Sequence, residues 1–176
     1  MVSRLTAFAA PYDCAVVAYS GNRLLTPTPG PLADQFTFYH EPAPLTVAEL
    51  HRETVNKILL VRDVPTINRL RAALERAVGE DATVVQALPD MIEIVPRGAS
   101  KGDGLRRVLD RLAVDPAQTL AIGDGENDIE MLQLVGLGVA MGNAGVAVKR
   151  AADAVTATND ADGVALALER YVLERK

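Results

Sequence analysis

Cysteine and histidine are scarce in this chain of 176 residues. Cys14 is the only cysteine, so an intramolecular disulfide is excluded and a reducing, cytoplasmic setting is favoured. No histidine is close to Cys14 in the sequence, and we therefore expect a small buried hydrophobe rather than a nucleophile. His40 and His51 form no metal-ligand pattern, and we expect both at the surface or at helix caps.

Long apolar runs and clusters of basic residues are missing as well. No stretch of about 18 apolar residues occurs, so the sequence predicts no transmembrane helix and no membrane partner. The net charge is −5, and no run of Lys and Arg is present. This balance argues against a nucleic-acid partner. With 49% hydrophobic and 23% charged residues, the composition is that of a soluble chain that buries a core.

The first part of the chain has irregular character followed by a short α/β pattern. Short strands are predicted at residues 15–19 and 36–40, with proline-rich loop sequence between them. A buried strand is predicted at 55–61, followed by a helix that Asp63 caps. Two further strands follow, separated by a turn at Pro89 and Asp90. We expect a mixed α/β domain over residues 1–97, in which residues 1–46 are assigned only loosely.

The pattern changes to alternating strands and amphipathic helices over residues 98–176. Such alternation predicts parallel βαβ units and part of a doubly wound parallel sheet. The strands are expected at 119–123, 138–141 and 154–158 as parallel neighbours. The fold class is therefore α/β, with a partial parallel-sheet core and a separate mixed α/β domain.

The most informative segment is GDGENDIEML, Gly123 to Leu132. Here a buried strand ends at an acidic cluster that contains Asp124 and Asp128, immediately before a helix. Ligand sites of open α/β sheets lie at the carboxyl ends of strands, and oxygen ligands suit a hard cation such as Mg²⁺. An equally good interpretation from spacing alone is a turn at Asp124 with Asp128 as a helix cap.

This segment resembles the fourth motif of haloacid dehalogenase phosphatases with an α/β cap, the Cof-type hydrolases. The similarity extends through EIVPRGASKGDGL, GVAMGNAGVAVKRAAD and VTATNDADGVALALERYV. It is dense over residues 57–172 and loose before that. The resemblance implies a cap region at residues 1–97, the C-terminal part of the phosphatase core at 98–176, and Mg²⁺-dependent hydrolysis of small phosphorylated metabolites such as sugar phosphates.

The resemblance also implies roles for four residues. Lys101 matches the lysine that neutralises phosphoryl oxygens, and Asn127 matches a residue that contacts the substrate phosphate. Asp124 matches a magnesium ligand. Asp128 matches a carboxylate that orients the lysine and supports the metal shell, so it is expected among both the catalytic and the metal-site residues. We expect Lys101 and Asp128 to face each other. Asn143, in a loop shared with the family, is interpreted as part of a structural turn.

The DxDGT motif that carries the family's nucleophile is not found in this sequence. DxDG occurs once, from Asp160 to Gly163, in a segment that the family has before its last helix. We expect Asp162 to cap that helix and Asp160 to have no nucleophilic role. Two explanations remain: an N-terminally truncated phosphatase that is inactive alone, which we favour, or a shortened paralogue that binds a partner.

Other functions stay open at this stage. A non-catalytic binding or regulatory module would bind its partner without phosphate or metal, and a phosphomutase would share the same motifs. A receiver-like or other doubly wound ligand-binding domain would leave Lys101 and Asp124 apart. Without the family's first strand, the strand ending at Asp124 should have an open edge, so we also expect self-association or association with a missing N-terminal fragment.

Overall fold

Two β-sheets organise the chain, one of six strands and one of three. The computed structural model describes residues 1–174. The chain divides into two units, Met1–Gly98 and Ala99–Lys176, each with its own sheet. This division falls next to the boundary that the sequence pattern predicts between residues 97 and 98.

The first unit contains three α-helices and six strands among its described residues. In chain order they are α1 (Val2–Ala9), β1 (Ala15–Ser20), β2 (Arg23–Thr26), α2 (Pro31–Asp34), β3 (Leu45–Thr46), β4 (Lys57–Val61), α3 (Val64–Val78), β5 (Ala82–Leu88) and β6 (Met91–Pro96). The strands lie in the order β3-β2-β1-β4-β6-β5. The β2–β3 pair is parallel, and the other neighbouring pairs are antiparallel.

Both faces of the six-stranded sheet bury apolar side chains. Alternation along β1 places Val16 in one hydrophobic cluster and Val17 in the other. The first cluster includes α3 residues at helical spacing, among them Leu70 and Leu74, both fully buried. The second cluster includes Phe36 from the segment after α2. Burial on both faces explains why β1 and β4 are almost continuously hydrophobic.

The predicted strands at 15–19 and 55–61 and the predicted turn between β5 and β6 are confirmed. Helix α3 begins as the sequence predicts, because the Asp63 carboxylate accepts a hydrogen bond from the Thr66 backbone N–H. The helix ends at Val78, and the following Gly79 has a φ of 57°, which is strained for residues with a side chain.

The prediction of a strand at 36–40 is wrong. Residues Gln35–Tyr39 form a 3-10 helix that ends at His40 in the left-handed conformation. The alternating apolar pattern is misleading here, since Phe36 is buried whereas Phe38 is 84% exposed. Thr37 Oγ1 donates to the Asp34 carbonyl, a local bond that favours the turn. The sequence pattern also does not predict helix α1, although Leu5 and Ala9 are buried at helical spacing.

The second unit alternates helices and strands as the sequence predicts. Its elements are α4 (Lys101–Leu112), β7 (Leu120–Gly123), α5 (Ile129–Leu134), β8 (Leu137–Ala140), α6 (Val146–Ala151), β9 (Ala154–Val155) and α7 (Gly163–Leu168). The sheet order is β7-β8-β9, and both pairs are parallel. The predicted set of three parallel neighbours is confirmed, but the last strand covers only two of the five residues predicted for it.

Two features at the end of the chain differ in detail from the sequence prediction. Asp162 stands at the N-cap of α7, but its side chain makes no capping hydrogen bond; its carbonyl accepts from the Leu166 N–H instead. After α7 the backbone continues as a short π-helix, Glu169–Leu173. Within residues 1–174 every helix is too short or too polar to cross a bilayer.

Candidate active site

The carboxyl ends of three parallel strands meet at one edge of the second sheet. Gly123 in β7 pairs with Ala140 in β8, and Ala140 pairs with Val155 in β9. Backbone bonds continue past the strands, from the Met141 N–H to the Gly123 carbonyl and from the Gly142 N–H to the Ala157 carbonyl. The loops that carry Asp124, Asn143 and Asn159 therefore start from neighbouring positions.

Lys101 and Asp128 form the central ion pair of this edge. The Lys101 ammonium donates to Asp128 Oδ1 at 2.5 Å, so the two side chains face each other as expected. Asp128 is 4% exposed, whereas 52% of the Lys101 side chain is accessible. Lys101 is the first residue of α4, where the helix N-terminus adds positive partial charge. The ammonium is thus held by a buried carboxylate, on a side chain that is about half exposed.

The other oxygen of Asp128 holds the loop that follows β7. Asp128 Oδ2 accepts hydrogen bonds from the backbone N–H groups of Asp124, at 3.0 Å, and Gly125, at 2.9 Å. A Cβ atom on Gly123 would lie 2.6 Å from the Asp128 Cβ, so glycine is needed for this close approach. Because both its oxygens are engaged, Asp128 is suited to positioning rather than to direct coordination of a cation.

Asn127 lies in the 3-10 helix Glu126–Asp128, directly against Gly125. Its side-chain oxygen is 2.5 Å from where a Gly125 Cβ would be, so the absence of a side chain at 125 leaves room for the amide. Because the 3-10 turn begins directly after Gly125, Asn127 lies close to Asp124 in the same loop. The motif thus places the two residues together as the sequence suggested.

Asp124 is linked to the neighbouring strand end through Asn143. The Asn143 Nδ2 amide donates to Asp124 Oδ2 at 2.8 Å, and the Asn159 backbone N–H donates to Asn143 Oδ1 at 3.0 Å. Asn143 therefore connects the loops after all three strands. Sequence reasoning placed Asn143 in a structural turn and missed this contact. The available signal was its position, since Asn143 follows β8 as Asp124 follows β7.

Lys149 supports the loop of Asn143 from α6. Its ammonium donates to the Gly142 carbonyl at 2.6 Å, and the side chain is partly buried. A Cβ on Gly142 would lie 2.8 Å from the Ala157 carbonyl carbon, so this loop also packs backbone against backbone. These contacts hold Gly142, the residue before Asn143, against Lys149 and the Ala157 backbone.

The oxygen atoms at this edge fit an incomplete site for a hard cation. Asp124 is exposed, and its Oδ1 makes no hydrogen bond within residues 1–174. Mg²⁺ commonly binds through one or two carboxylates, with waters and phosphate oxygens completing its shell. Across those same residues, no group of three or more His, Cys, Asp and Glu side chains could hold a metal ion. Asp124 thus fits as one ligand among several.

Comparison with known proteins identifies relatives of most of the chain. The sequence profile of a family described as haloacid dehalogenase-like hydrolase matches residues 1–168. A solved structure of a haloacid dehalogenase-like hydrolase from Bacteroides thetaiotaomicron is 34% identical and superposes with a TM-score of 0.77. The match covers 96% of this chain and 65% of that chain.

Two curated relatives match over different lengths. A chloroplastic endoribonuclease of Arabidopsis thaliana is 41% identical over 162 residues, which are 89% of this chain but 28% of that protein. A 5-amino-6-(5-phospho-D-ribitylamino)uracil phosphatase of Bacillus subtilis is 47% identical over 81 residues, 46% of this chain and 30% of the phosphatase. The chain thus spans about a third or less of either relative.

Proposed function

Since the chain belongs to the haloacid dehalogenase-like hydrolases, we propose that it supplies the phosphate-binding and magnesium-binding part of a Cof-type phosphatase. The observation that carries the proposal is the Lys101–Asp128 pair beside Asp124, at the carboxyl ends of parallel strands. The proposed reaction is hydrolysis of a small phosphomonoester.

Lys101 and Asn127 are the proposed phosphate ligands. The Lys101 ammonium would neutralise phosphoryl oxygens, on which negative charge accumulates during transfer. Asp128 would hold the ammonium in place and, through its contacts to the Asp124 and Gly125 amides, fix the loop. Asn127 would donate its side-chain amide to the phosphate.

Asp124 is the proposed magnesium ligand of this chain, through its accessible Oδ1. When bound, Mg²⁺ supplies charge neutralisation for the phosphoryl group. Asp128 would belong to the surroundings of the metal rather than to its direct ligands, since its oxygens already accept three hydrogen bonds. The family resemblance assigns both carboxylates to the metal site. We propose that Asp124 binds the metal directly and that Asp128 supports the loop around it.

We place the nucleophile and the general acid in a segment outside this sequence. The only DxDG of the chain begins at Asp160, in an exposed 3-10 turn after β9. The relative of known structure is longer, since this chain covers 65% of it. Strand β7 forms one end of the three-stranded sheet, where a further strand could pair. Such a segment, on the same or another chain, would complete the core.

The proposed substrate class is a small phosphorylated metabolite, such as a sugar phosphate or a related polyol phosphate. One curated relative is named for a phosphoribitylamino substrate, which has this chemistry. The unit Met1–Gly98 is the proposed cap that selects among such substrates.

The test is reconstitution with a separate fragment that carries an apolar strand ending in DxDGT. We expect no turnover of p-nitrophenyl phosphate by the chain alone and magnesium-dependent turnover by the pair. Asp124→Asn and Lys101→Met should abolish this turnover, whereas Asp160→Asn should retain it. Asp160→Asn is the matched control, because it removes an exposed carboxylate in a neighbouring loop.

Three outcomes would contradict the proposal. Turnover by the chain alone, lost in Asp124→Asn, would show that the nucleophile lies within this sequence. A fragment that binds without restoring turnover would show that Lys101, Asp124 or Asn127 is assigned wrongly. Tight binding of a protein partner, independent of phosphate and Mg²⁺, would favour a non-catalytic module.

A further inference from the structure

Asn143 occupies one oxygen of the Asp124 carboxylate and leaves the other accessible. We propose that Asn143 is a specificity-determining residue that limits Asp124 to a single metal-facing oxygen and thereby favours Mg²⁺ over Ca²⁺. This inference rests on the proposed function, because it concerns the cation that Asp124 would hold.

The orientation of the Asn143 side chain is determined by its two partners. The Asn159 backbone N–H can only donate, so the atom that faces it must be the Asn143 oxygen, which accepts at 3.0 Å. The Nδ2 group then points to Asp124 Oδ2, to which it donates at 2.8 Å. A carboxylate at Asn143 could keep the first contact but would lose the second.

The Asn143 loop is held at Gly142, the residue before Asn143, so the contact to Asp124 is preorganised. Lys149 donates to the Gly142 carbonyl, and the Gly142 N–H donates to the Ala157 carbonyl. The backbone of Asp124 is held in turn by Asp128. Rotation of the Asp124 carboxylate to present both oxygens to one ion would break the bond to Asn143, since the backbone on either side is fixed.

Cation size turns this restraint into selectivity. Ca²⁺ takes about six to eight oxygen ligands and often binds carboxylates through both oxygens, whereas Mg²⁺ requires near-octahedral geometry and binds with waters in its shell. A carboxylate with one available oxygen is sufficient for monodentate coordination of Mg²⁺, but it provides one ligand fewer for Ca²⁺ than a bidentate carboxylate would. Removal of the Asn143 amide should therefore improve binding of Ca²⁺ relative to Mg²⁺.

The experiment measures competition for bound Mn²⁺ by electron paramagnetic resonance on the full chain. Mn²⁺ is displaced first with MgCl₂ and then with CaCl₂. We expect wild type to prefer Mg²⁺, and Asn143→Ala to reduce the Mg²⁺/Ca²⁺ preference by about three- to tenfold, the factor that one net hydrogen bond carries. Asn159→Ala is the matched control, because it keeps the backbone N–H; its preference should equal that of wild type.

A second measurement checks the contact without metal. The side-chain amide resonances of Asn143 should shift in Asp124→Asn, because the charged acceptor is lost. An unchanged Mg²⁺/Ca²⁺ preference in Asn143→Ala, with Mn²⁺ still bound through Asp124, overturns this inference alone. Failure of wild type to bind Mn²⁺, or binding that Asp124→Asn leaves intact, overturns the metal role in the proposed function as well. An Asn143 resonance unaffected by Asp124→Asn also overturns the inference.

Discussion

The Lys101 ammonium donates to a carboxylate oxygen of Asp128, whose other oxygen receives the amides of Asp124 and Gly125. One buried carboxylate thus connects the start of α4 with the loop after β7. The proposed cation ligand Asp124 and the proposed phosphate ligand Lys101 are held relative to each other in this way, although they lie 23 positions apart in the sequence.

Removal of the Asp128 carboxylate should destabilise the chain more than removal of Lys101. Asp128→Ala leaves two part-buried amide donors without their acceptor, at a cost of about 1–3 kcal/mol in the free energy of unfolding. Lys101→Met leaves those amides paired with Asp128, and the lysine side chain that it removes is about half exposed, so we expect a smaller loss of stability. Urea unfolding checks the order, and a larger loss in Lys101→Met would contradict the central position given to Asp128.

Two glycine substitutions should have opposite effects. Gly123→Ala places a Cβ 2.6 Å from the Asp128 Cβ and 2.7 Å from its carboxylate, so the site loop must shift and stability falls. Gly104→Ala adds a methyl within α4 where no atom lies within 4 Å, and it should stabilise by about 0.5–1 kcal/mol. Thermal unfolding of both variants measures the contrast, which equal losses would disprove.

The cap of α3 should give a stability contribution that depends on pH. The backbone N–H of Thr66 lowers the pKa of Asp63 from its ordinary value of 3.8, because it bonds to the charged form. The contribution of the charged Asp63 to stability is complete above pH 3.8. It is lost as the pH falls through the lower pKa of Asp63 in the folded state. Asp63→Asn should cap the helix without this acid dependence, whereas Asp63→Ala should lose the cap.

Unfolding midpoints of the three proteins at neutral and acidic pH measure this effect. At neutral pH we expect wild type and Asp63→Asn to be similar, with Asp63→Ala lower. An identical fall of all three midpoints with acid would show that Asp63 contributes nothing to the pH dependence.

Cys14 should react slowly with thiol reagents in the folded chain. Burial raises the pKa of the Cys14 thiol to about 11, so the reactive thiolate is rare near neutral pH. Burial therefore stabilises the protonated thiol fully at a pH below 9.0, the ordinary pKa of the group. This effect is lost as the pH rises through the folded-state pKa of about 11.

Labelling with a chromogenic disulfide at pH 8 measures this reactivity. We expect slow reaction in buffer and fast reaction in urea. A Ser3→Cys variant provides the matched control, since Ser3 is exposed and its thiol should react at once. Equally fast labelling of Cys14 in buffer would contradict its burial.

The open edge of β7 should lead to association. Residues Leu120–Gly123 pair on one side only within the described sheet, and exposed apolar residues such as Val108 and Leu112 lie on α4 of the same unit. Sedimentation should show a species whose mass increases with concentration. A monomer at all concentrations, with the Leu120–Gly123 amides fully protected from hydrogen exchange, would contradict this prediction.

The sequence predicts the second unit better than the first for a physical reason. Each of its strands is followed by an amphipathic helix, and this regular alternation permits only a parallel sheet. In the segment Gln35–Tyr39 an alternating apolar pattern instead coincides with a 3-10 turn, in which Phe36 is buried and Phe38 is exposed. Short β2 and β3 have too few residues to show a period.

The candidate site could be predicted only in part. Lys101, Asp124, Asn127 and Asp128 come from the family resemblance, and their contacts agree with it in placing Lys101 on Asp128. The contact of Asn143 with Asp124 could not be derived, because it depends on the register between β7 and β8. The sequence likewise does not predict that both Asp128 oxygens accept hydrogen bonds, because this depends on side-chain geometry.

The central claim is that the loop after β7 binds Mg²⁺ through Asp124 beside a phosphate site at Lys101. The most direct test is an amide NMR titration of the full chain with MgCl₂ and then with inorganic phosphate. We predict saturable shifts at Asp124, Gly125 and Asn143 on addition of Mg²⁺, further shifts at Lys101 and Asn127 on addition of phosphate, and loss of the Mg²⁺ response in Asp124→Asn. Shifts confined to other residues, or a response unchanged in Asp124→Asn, would contradict the account.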